Sequence, residues 1–246
     1  MHRLIVLSGP SCVGKSPLDR ALRRFYPELR NAMQPLVLYN SRDPRPGETD
    51  GNDYHFRTRE YISQLKDKDD YSVMEVRGDL QALDKGELQR QLEKGQVLFE
   101  GNPFIGSWLL RHAAQTGIEV LGVFMSPLCR EELEYVKSVS GSTGLQDLVT
   151  DIMRRKLLRR TRRQKGELSL KDLQNIETRA SSAYPELQLA HLFRYVLPNI
   201  DGEDSENWDA FYHPVGSARR TMLAFVDLLK GVEPALAERW EAGLLP

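Results

Sequence analysis

The sequence predicts an α/β fold with a mainly parallel sheet, and two observations support this prediction. Short apolar runs typical of buried parallel strands alternate along the chain with segments whose apolar residues have helical spacing. The first run, residues 4–7, leads through a glycine-bearing loop into a helical pattern that places Leu18, Leu22 and Phe25 on one face. Strands that alternate with helices in this way favour an α/β fold.

The remaining elements continue this alternation. Apolar runs predict further strands over 36–39, 71–76, 96–100, 118–124 and 194–197. Apolar periodicity predicts further helices over 85–94, 128–139, 170–191, 217–229 and 234–242. A Ser/Gly-rich break at 140–144 precedes a strongly basic helical stretch. Because no clear linker interrupts the chain, we expect one domain over 1–246.

Composition narrows the class of protein. The 246 residues suffice for one sizeable core, and 40% hydrophobic with 28% charged residues is typical of a soluble globular protein. A net charge of −1 excludes binding of polyanions through overall charge. Two cysteines, Cys12 and Cys129, cannot form a disulfide framework, which favours a reducing compartment. No signal-like segment and no apolar run near the ~20 residues of a membrane span is present, so a cytoplasmic protein without membrane contact is expected.

The first chemical motif is a complete GxxxxGK[ST] pattern, formed by Gly9, Pro10, Ser11, Cys12, Val13, Gly14, Lys15 and Ser16. In such a loop, backbone N–H groups surround a phosphate and the following helix offers the positive end of its dipole. Lys15 is expected to reach the β- and γ-phosphates of ATP, and the Ser16 hydroxyl to bind Mg²⁺. A chance match is disfavoured because an apolar strand precedes the motif and a helix follows it. The loop alone does not separate a kinase from an NTPase switch or a motor.

A second motif follows one strand later, over residues 41–56. Arg42 and Arg45 are three positions apart in a stretch that Pro44 and Pro46 stiffen toward an extended conformation, so both guanidinium groups can converge on one anion. Tyr54 is expected to add a hydroxyl donor to the same phosphate. The alternative is an exposed turn with solvated arginines, which the nearby phosphate loop disfavours.

Together the two motifs resemble those of the guanylate kinase family. Residues 41–56 read SRDPRPGETDGNDYHF, which is similar to the family's TRxPRPGExxGxDYxF-like segment with Ser41 in place of threonine. The resemblance implies a P-loop NTPase fold with a three-layer α/β/α core, expected at about 1–35, 90–139 and 175–230. It also implies a small acceptor-binding subdomain at about 36–89, a helical lid at about 140–174, and the reaction of ATP with GMP to give ADP and GDP with Mg²⁺. An extra C-terminal helix is expected at about 231–246.

The resemblance also assigns roles to single positions. The positions matched to the acceptor site are Arg42, Arg45, Glu48, Tyr54, Glu75 and Glu100. Of these, the arginines and Tyr54 would hold the acceptor phosphate. The carboxylates of Glu75 and Glu100 would read the two-donor edge of guanine, although Glu100 also ends the strand that corresponds to Walker B. Arg179, in the helix after the lid, would bind phosphate, and Asn199 would lie near the adenine of ATP.

Three departures from the family pattern concern the acceptor pocket. Leu38 stands where a serine helps to bind the base, residues 78–83 lack a phosphate-binding tyrosine, and Gly101-Asn102-Pro103 replaces Ile-Asp and an apolar residue. A lost hydrogen-bonding partner in such a pocket costs about 1–3 kcal/mol. Acceptor identity therefore has two alternatives, GMP or dGMP, and another or modified nucleotide.

The expected lid is longer than the family pattern and very basic. Its cations are Arg154, Arg155, Lys156, Arg159, Arg160, Arg162, Arg163 and Lys165. We expect Arg159, Arg162 and Arg163 to include the residues that close over the triphosphate, and at least half of the cluster to be a solvated helix face. Nucleic-acid binding is not favoured, because no aromatic residues are interleaved and the chain is near neutral.

Two alternatives from other classes are open at this point. A non-catalytic guanylate kinase-like interaction domain would bind a phosphorylated partner, but such domains usually lose the phosphate-loop lysine, and Lys15 is present. A nucleic-acid-dependent ATPase would use the basic lid. Scattered histidines give no zinc pattern, and Cys12 is expected to be a buried thiol rather than a nucleophile. The sequence leaves the oligomeric state open.

Overall fold

The computed structural model describes residues 2–45 and 47–245, apart from the side chain of Ser142, so Pro46 of the second motif lies outside the described residues. In chain order the strands are β1 (Leu4–Ser8), β2 (Met33–Pro35), β3 (Tyr39–Asn40), β4 (His55–Phe56), β5 (Tyr71–Val76), β6 (Asp79–Asp84), β7 (Gln96–Gly101), β8 (Val120–Ser126) and β9 (Tyr195–Pro198). The α-helices are α1 (Lys15–Phe25), α2 (Pro27–Asn31), α3 (Arg59–Gln64), α4 (Lys85–Lys94), α5 (Pro103–Thr116), α6 (Arg130–Lys165), α7 (Leu170–Ser181), α8 (Ala183–Gln188) and α9 (Gly216–Leu229).

The larger sheet is five-stranded and parallel, with the order β2-β7-β1-β8-β9. Both of its faces are covered, because alternate residues of β1 enter different cores. Leu4 and Val6 pack with residues of α5 to α8, whereas Ile5 and Leu7 pack with α1 and α9. This arrangement confirms the predicted α/β/α core, and it places the carboxyl ends of β1 and β7 side by side.

The smaller sheet has four strands in the order β4-β3-β6-β5. Its two faces are distinguished by the alternation along β5 and β6. Met74 and Val76 pack toward the main core, and we call this the core face. Val73 and Leu80 pack with α3 on the other side, which we call the α3 face. The face on which a β5 or β6 side chain lies therefore follows from its register.

The helices after β8 agree with the prediction at one division and differ from it at another. Gly141, with φ 66° and ψ −174°, is not helical and divides α6 into two helical parts, in agreement with the break predicted at 140–144. After the kink, one stripe of side chains is buried at helical spacing: Leu145, Val149, Met153 and Leu157. The helix predicted over 170–191 is divided into α7, α8 and a 3₁₀ turn over Leu189–Leu192.

Two predicted elements are wrong. Of the strand predicted over 36–39, Tyr39 alone lies in a strand, β3, whereas Leu36 and Leu38 are buried in the core where the chain passes from β2 to β3. The helix over about 231–246 is also absent from the described residues of that segment. Instead, the backbone of Glu238 exchanges two hydrogen bonds of 2.8 Å with Val196 at the edge of β9, and Trp240 is buried. The open sheet edge gives the backbone a partner that the helical pattern could not reveal.

None of the helices within the described ranges combines the length and the apolarity that a membrane span requires.

Candidate active site

The phosphate loop, residues 9–16, joins the end of β1 to the start of α1. Its two glycines have positive φ, 152° at Gly9 and 106° at Gly14. A β-carbon at Gly9 would lie 2.4 Å from the carbonyl oxygen of Met125, and one at Gly14 would lie 2.5 Å from Asn199 Nδ2. Both positions therefore require glycine, as the motif predicted.

Lys15 lies over the loop. Its Nζ donates hydrogen bonds to the carbonyl oxygens of Gly9, at 2.7 Å, and Pro10, at 2.9 Å, and the residue is 8% exposed. Burial lowers the pKa of Lys15, while nearby carboxylates including Glu203 and Glu100 oppose this shift. The cation is thus held at the Gly9–Pro10 side of the loop.

Glu100 lies beside Ser16. Its Oε1 accepts a 2.8 Å hydrogen bond from Ser16 Oγ. The strand register brings the two residues together, because Glu100 lies opposite Leu7 near the ends of β7 and β1. Burial raises the pKa of Glu100, and the charge of Lys15 opposes the shift. This contact places Glu100 beside the phosphate loop, and its predicted base-reading role stays a prediction. A hydroxyl and a carboxylate at this position are hard oxygen donors of the kind that Mg²⁺ takes together with nucleotide phosphates.

Asn199 packs against the loop, and Cys12 is a buried residue of the loop itself. Asn199 is fully buried, and its Nδ2 donates to the carbonyl oxygens of Val13, at 2.7 Å, and Asp201, at 2.6 Å. Both hydrogens of its amide therefore bind backbone oxygens, and its predicted place near the adenine of ATP stays a prediction. Cys12 is also fully buried, and burial followed by the charge of Glu203 raises the pKa of its thiol to about 12, as suits a packing residue rather than a nucleophile.

The second motif forms an oriented pair of arginines. Glu48 accepts two hydrogen bonds from the Arg42 guanidinium, at 2.6 and 2.7 Å, and a third from the backbone N–H of Arg45 at 2.8 Å. The Arg42 Cζ lies 5.1 Å from the ring centre of Tyr54 and 5.4 Å from that of Phe56. Glu48 therefore orients the arginine pair, whereas its predicted role was direct acceptor binding.

Arg45 and the arginines near the phosphate loop influence one another's pKa. Partial burial and the charges of Arg42 and Arg160 lower the pKa of Arg45. Burial and the charges of Arg160, Arg45 and Arg77 lower the pKa of Arg179 well below its usual range. These mutual effects place the cations of the second motif and of the loop within electrostatic reach of one another. Such a concentration of positive charge suits a polyanionic ligand lying between them.

The basic stretch of α6 contributes Arg160 to this cluster. The Arg160 guanidinium donates to Glu203 Oε2 at 2.5 Å, and the backbone N–H of Glu203 donates to the carbonyl of Cys12 in the loop. Arg160 is half-buried and lies beside Thr161, the residue at which the buried stripe of the helix ends. The three arginines predicted to close over the triphosphate, Arg159, Arg162 and Arg163, lie off that stripe and are exposed. Arg159 and Arg163 pair with Asp204 and Glu206.

Ser11 receives two guanidinium groups. Arg179 Nε donates to Ser11 Oγ at 3.0 Å, which places this predicted residue beside the loop. Arg77 Nη1 donates to the same oxygen at 2.9 Å. The motifs did not indicate Arg77, which occupies the turn between β5 and β6. One feature of the sequence could have indicated Arg77: it directly precedes Gly78 in a hairpin turn, where asparagine is the favoured residue.

The base-reading prediction for Glu75 is not supported by its position. Glu75 pairs with Leu80, so it lies on the α3 face, and its carboxylate is 61% exposed beside Arg59 at 3.4 Å. The core face carries an amide, Gln81, and also a carboxylate, Asp79, which pairs with Val76. Gln81 is buried opposite Met74, and its Oε1 lies 3.5 Å from Asn102 Nδ2.

Comparison with known proteins supports one family. The family model described as Guanylate kinase matches residues 1–95. A guanylate kinase of Corynebacterium jeikeium (strain K411) is 36% identical over 159 residues, which cover 63% of this chain and 78% of that protein. The chain belongs to the guanylate kinase family. Both motifs, the phosphate loop and the oriented arginine pair, fall within the part matched by the family model.

Other members of the guanylate kinase family match a shorter stretch. A guanylate kinase of Rhodococcus jostii (strain RHA1) is 37% identical over 128 residues, 51% of this chain and 58% of that protein. The chain thus spans less than two thirds of this relative's length. The crystal structure of guanylate kinase from Anaplasma phagocytophilum has the same fold, with a TM-score of 0.53 at 17% identity over 93% of this chain and 85% of that one.

Proposed function

We propose that this protein transfers the γ-phosphoryl group of ATP to the phosphate of a nucleoside monophosphate, with GMP or dGMP as the acceptor. The observation that carries the proposal is that two phosphate-binding groups are held in place by hydrogen bonds. Lys15 is held over the phosphate loop by two backbone carbonyls, and the Arg42 guanidinium is held by two bonds to Glu48. A donor phosphate in the loop and an acceptor phosphate on Arg42 and Arg45 would then face each other. In phosphoryl transfer such positioning and charge neutralisation supply most of the catalysis.

At the donor end, the loop backbone would bind the β- and γ-phosphates, and Lys15 would exchange its bonds to Gly9 and Pro10 for phosphate oxygens. Arg179 and Arg160 would balance the charge on the transferring group. Because Asn199 binds the loop backbone and Cys12 is buried within the loop, little reorganisation would accompany binding. Closure of α6 and α7 as a lid would exclude water, which competes as an acceptor.

Ser16 and Glu100 would hold Mg²⁺ together with the nucleotide. Their oxygens are 2.8 Å apart at the start of α1, and both are the hard donors that this ion prefers. The ion would neutralise charge on the β- and γ-phosphates. Ser16 and Glu100 would then act on the donor side of the reaction.

At the acceptor end, Arg42 and Arg45 would bind the phosphate of the monophosphate, with Tyr54 below Arg42. Glu48 holds the Arg42 guanidinium through two bonds and would keep it oriented between turnovers. We assign the four-stranded sheet as the acceptor-binding subdomain on this basis. We also place the protein in the cytoplasm, where ATP and nucleoside monophosphates are both available.

A specific observation favours a second candidate, a kinase of the same reaction acting on another or modified nucleotide. Gln81 on the core face lies 3.5 Å from the amide of Asn102, so the middle of this face offers amides, whereas the Asp79 carboxylate of the same face lies beside the turn between β5 and β6. Guanine presents two donors on one edge, whereas an amide offers both a donor and an acceptor. An amide-lined pocket would therefore suit bases whose edge pairs a donor with an acceptor, as adenine and cytosine do.

A coupled assay of ADP release with ATP, Mg²⁺ and a panel of nucleoside monophosphates tests the proposal. We expect turnover with GMP or dGMP that is lost in Lys15→Ala and in Arg42→Ala. Turnover with another acceptor and none with GMP would keep the kinase but replace guanine. No turnover with any acceptor, in a protein that still binds ATP in a thermal-shift assay, would refute phosphoryl transfer to nucleotides.

A further inference from the structure

Arg77 has a backbone conformation that is unusual for its residue type. It occupies, with Gly78, the two-residue turn between β5 and β6, and both residues have positive φ, 54° and 86°. A turn of this kind favours Asn-Gly, because side chains other than those of Asn and Asp rarely adopt left-handed φ. An arginine kept at such a position indicates a constraint other than the turn.

The guanidinium of Arg77 is anchored from one side. Its Nε donates to Glu186 Oε1 at 2.8 Å, its Nη2 donates to the same oxygen, and the Glu186 side chain is 0% exposed. Glu186 belongs to α8, so the anchor lies 109 residues away along the chain. This ion pair aims the hairpin of the small sheet at the main core.

The other side of the guanidinium reaches the phosphate loop. Arg77 Nη1 donates to Ser11 Oγ at 2.9 Å, beside the 3.0 Å bond from Arg179. Ser11 follows Gly9 and Pro10, whose carbonyl oxygens hold Lys15 Nζ. Since this lysine reaches the β- and γ-phosphates, Ser11 lies at the γ-phosphate side of the loop, away from Ser16 at the start of α1.

Arg77 still has donors to offer at this point. An arginine carries five N–H groups. The contacts to Glu186 and Ser11 use one each on Nε, Nη2 and Nη1, which leaves one N–H on each terminal nitrogen. Its charge also contributes, after burial, to the lowered pKa of both Lys15 and Arg179, in keeping with its place among the loop cations.

We infer that Arg77 is a γ-phosphate ligand of ATP, delivered to the phosphate loop by the turn of the acceptor-binding sheet, an inference that rests on the proposed function. It would act with Arg179 on the phosphoryl group that is transferred. Because Arg77 belongs to the same sheet that carries the acceptor, the position of this sheet and the charge around the γ-phosphate would change together. ATP would therefore favour the closed arrangement of the sheet more than ADP does.

A purely structural role for Arg77 makes a different prediction. In that case the guanidinium serves only to compensate the buried carboxylate of Glu186, and its loss acts through folding. Arg77→Asn separates the two roles, because it creates the favoured Asn-Gly turn while removing the cation. The double variant Arg77→Asn/Glu186→Gln also removes the buried charge of Glu186, which would otherwise be left without Arg77. If the single variant folds poorly, nucleotide binding is measured on the double variant.

The experiment measures the Kd of MgATP and of MgADP by calorimetry for the wild-type protein and these variants. We expect the ratio of the Kd of MgADP to the Kd of MgATP to fall about tenfold in Arg77→Asn. The Kd of MgADP itself should change by less than about threefold. The double variant should show the same loss although its melting temperature recovers. Arg77→Lys should lie between, since it keeps the charge without the fork.

Arg59→Gln is the matched control, because Arg59 donates to the carbonyl of Gly78 in the same turn from the exposed α3 side. Its ratio should equal that of the wild type. An unchanged ratio in Arg77→Asn, or recovery of the wild-type ratio in the double variant, would overturn the inference while the proposed function stands. A wild-type protein that binds neither nucleotide would refute both.

Discussion

The phosphate loop and the core face of the four-stranded sheet are held by different kinds of contact. Around the loop, polar side chains are buried and tied to backbone: Lys15 to the carbonyls of Gly9 and Pro10, and Asn199 to that of Val13. On the core face, polar side chains are held less tightly: Gln81 Oε1 lies 3.5 Å from Asn102 Nδ2, at the outer limit of a hydrogen bond. Replacing a side chain at the loop therefore removes hydrogen bonds that fix the loop backbone. Replacing one on the core face changes the side chains that a ligand would contact and leaves the backbone bonds in place.

This difference reflects the ligands that the two regions are proposed to bind. A polyphosphate needs several fixed donors in one geometry, so few alternatives to the loop residues exist. A base is distinguished by a few hydrogen bonds, each worth about 1–3 kcal/mol when a partner is left unpaired. Residues such as Leu38 or Asn102 can change while the phosphate chemistry is retained. Family membership therefore constrains the donor site more tightly than the acceptor base.

The largest effect is expected for Lys15→Ala, which removes the lysine of the phosphate loop. We expect kcat to fall about 10³-fold, because a preorganised cation is lost from a partly dry site. Steady-state kinetics with GMP measures the fall, and Lys94→Ala, at the exposed end of α4, is the matched control. A loss below tenfold would show that the loop does not hold the reacting phosphates.

Arg42→Ala should act on the acceptor alone. We expect the KM for the monophosphate to rise about 100-fold, because the acceptor phosphate loses two charge-assisted hydrogen bonds that together contribute about 3 kcal/mol. The KM for ATP should change by less than about threefold, on the view that the acceptor and donor sites are separate. Arg57→Ala, which removes an exposed arginine paired with Asp50 in the same segment, is the control. Equal rises in both constants would contradict the separation of the two sites.

Local sequence predicted the donor site and the arginine pair because their chemistry is contained in short segments. The glycines at 9 and 14, the lysine at 15 and the arginines at 42 and 45 are spaced for phosphate contact within single loops. The parallel core was predictable for the same reason, since buried strands of five to seven residues are continuous apolar runs.

Residues whose roles depend on tertiary placement were not predictable in the same way. Arg160 lies beside the buried stripe that ends at Thr161, and its contact with Glu203, 43 residues away, is not visible in the local pattern that it shares with Arg159. Glu75 was misplaced because sequence alone does not fix which face of a hairpin meets the core. Arg77 and Glu186 are 109 residues apart, so no local pattern connects them.

Asn102→Asp would place a carboxylate next to Gln81 on the core face and would test whether position 102 faces the base. We expect the ratio of kcat/KM for GMP over AMP to rise about tenfold, because the new acceptor can pair with both guanine donors. The fold should be retained, since Asn102 Oδ1 caps α5 through the Ile105 N–H at 3.0 Å, and aspartate is an equally good cap. An unchanged ratio would mean that position 102 does not face the base.

The smallest effect is expected for Glu75→Gln, which tests the assignment of faces itself. Its carboxylate is exposed and pairs with Arg59 at 3.4 Å, and a surface pair of this kind contributes about 0–1 kcal/mol. The KM for GMP should therefore change by less than about twofold relative to the wild type. Gln81→Ala, one position along from Leu80 and on the opposite face, should raise the same constant about tenfold if the base lies there. The reverse order of the two effects would place the base on the α3 face and would make the core face a packing surface.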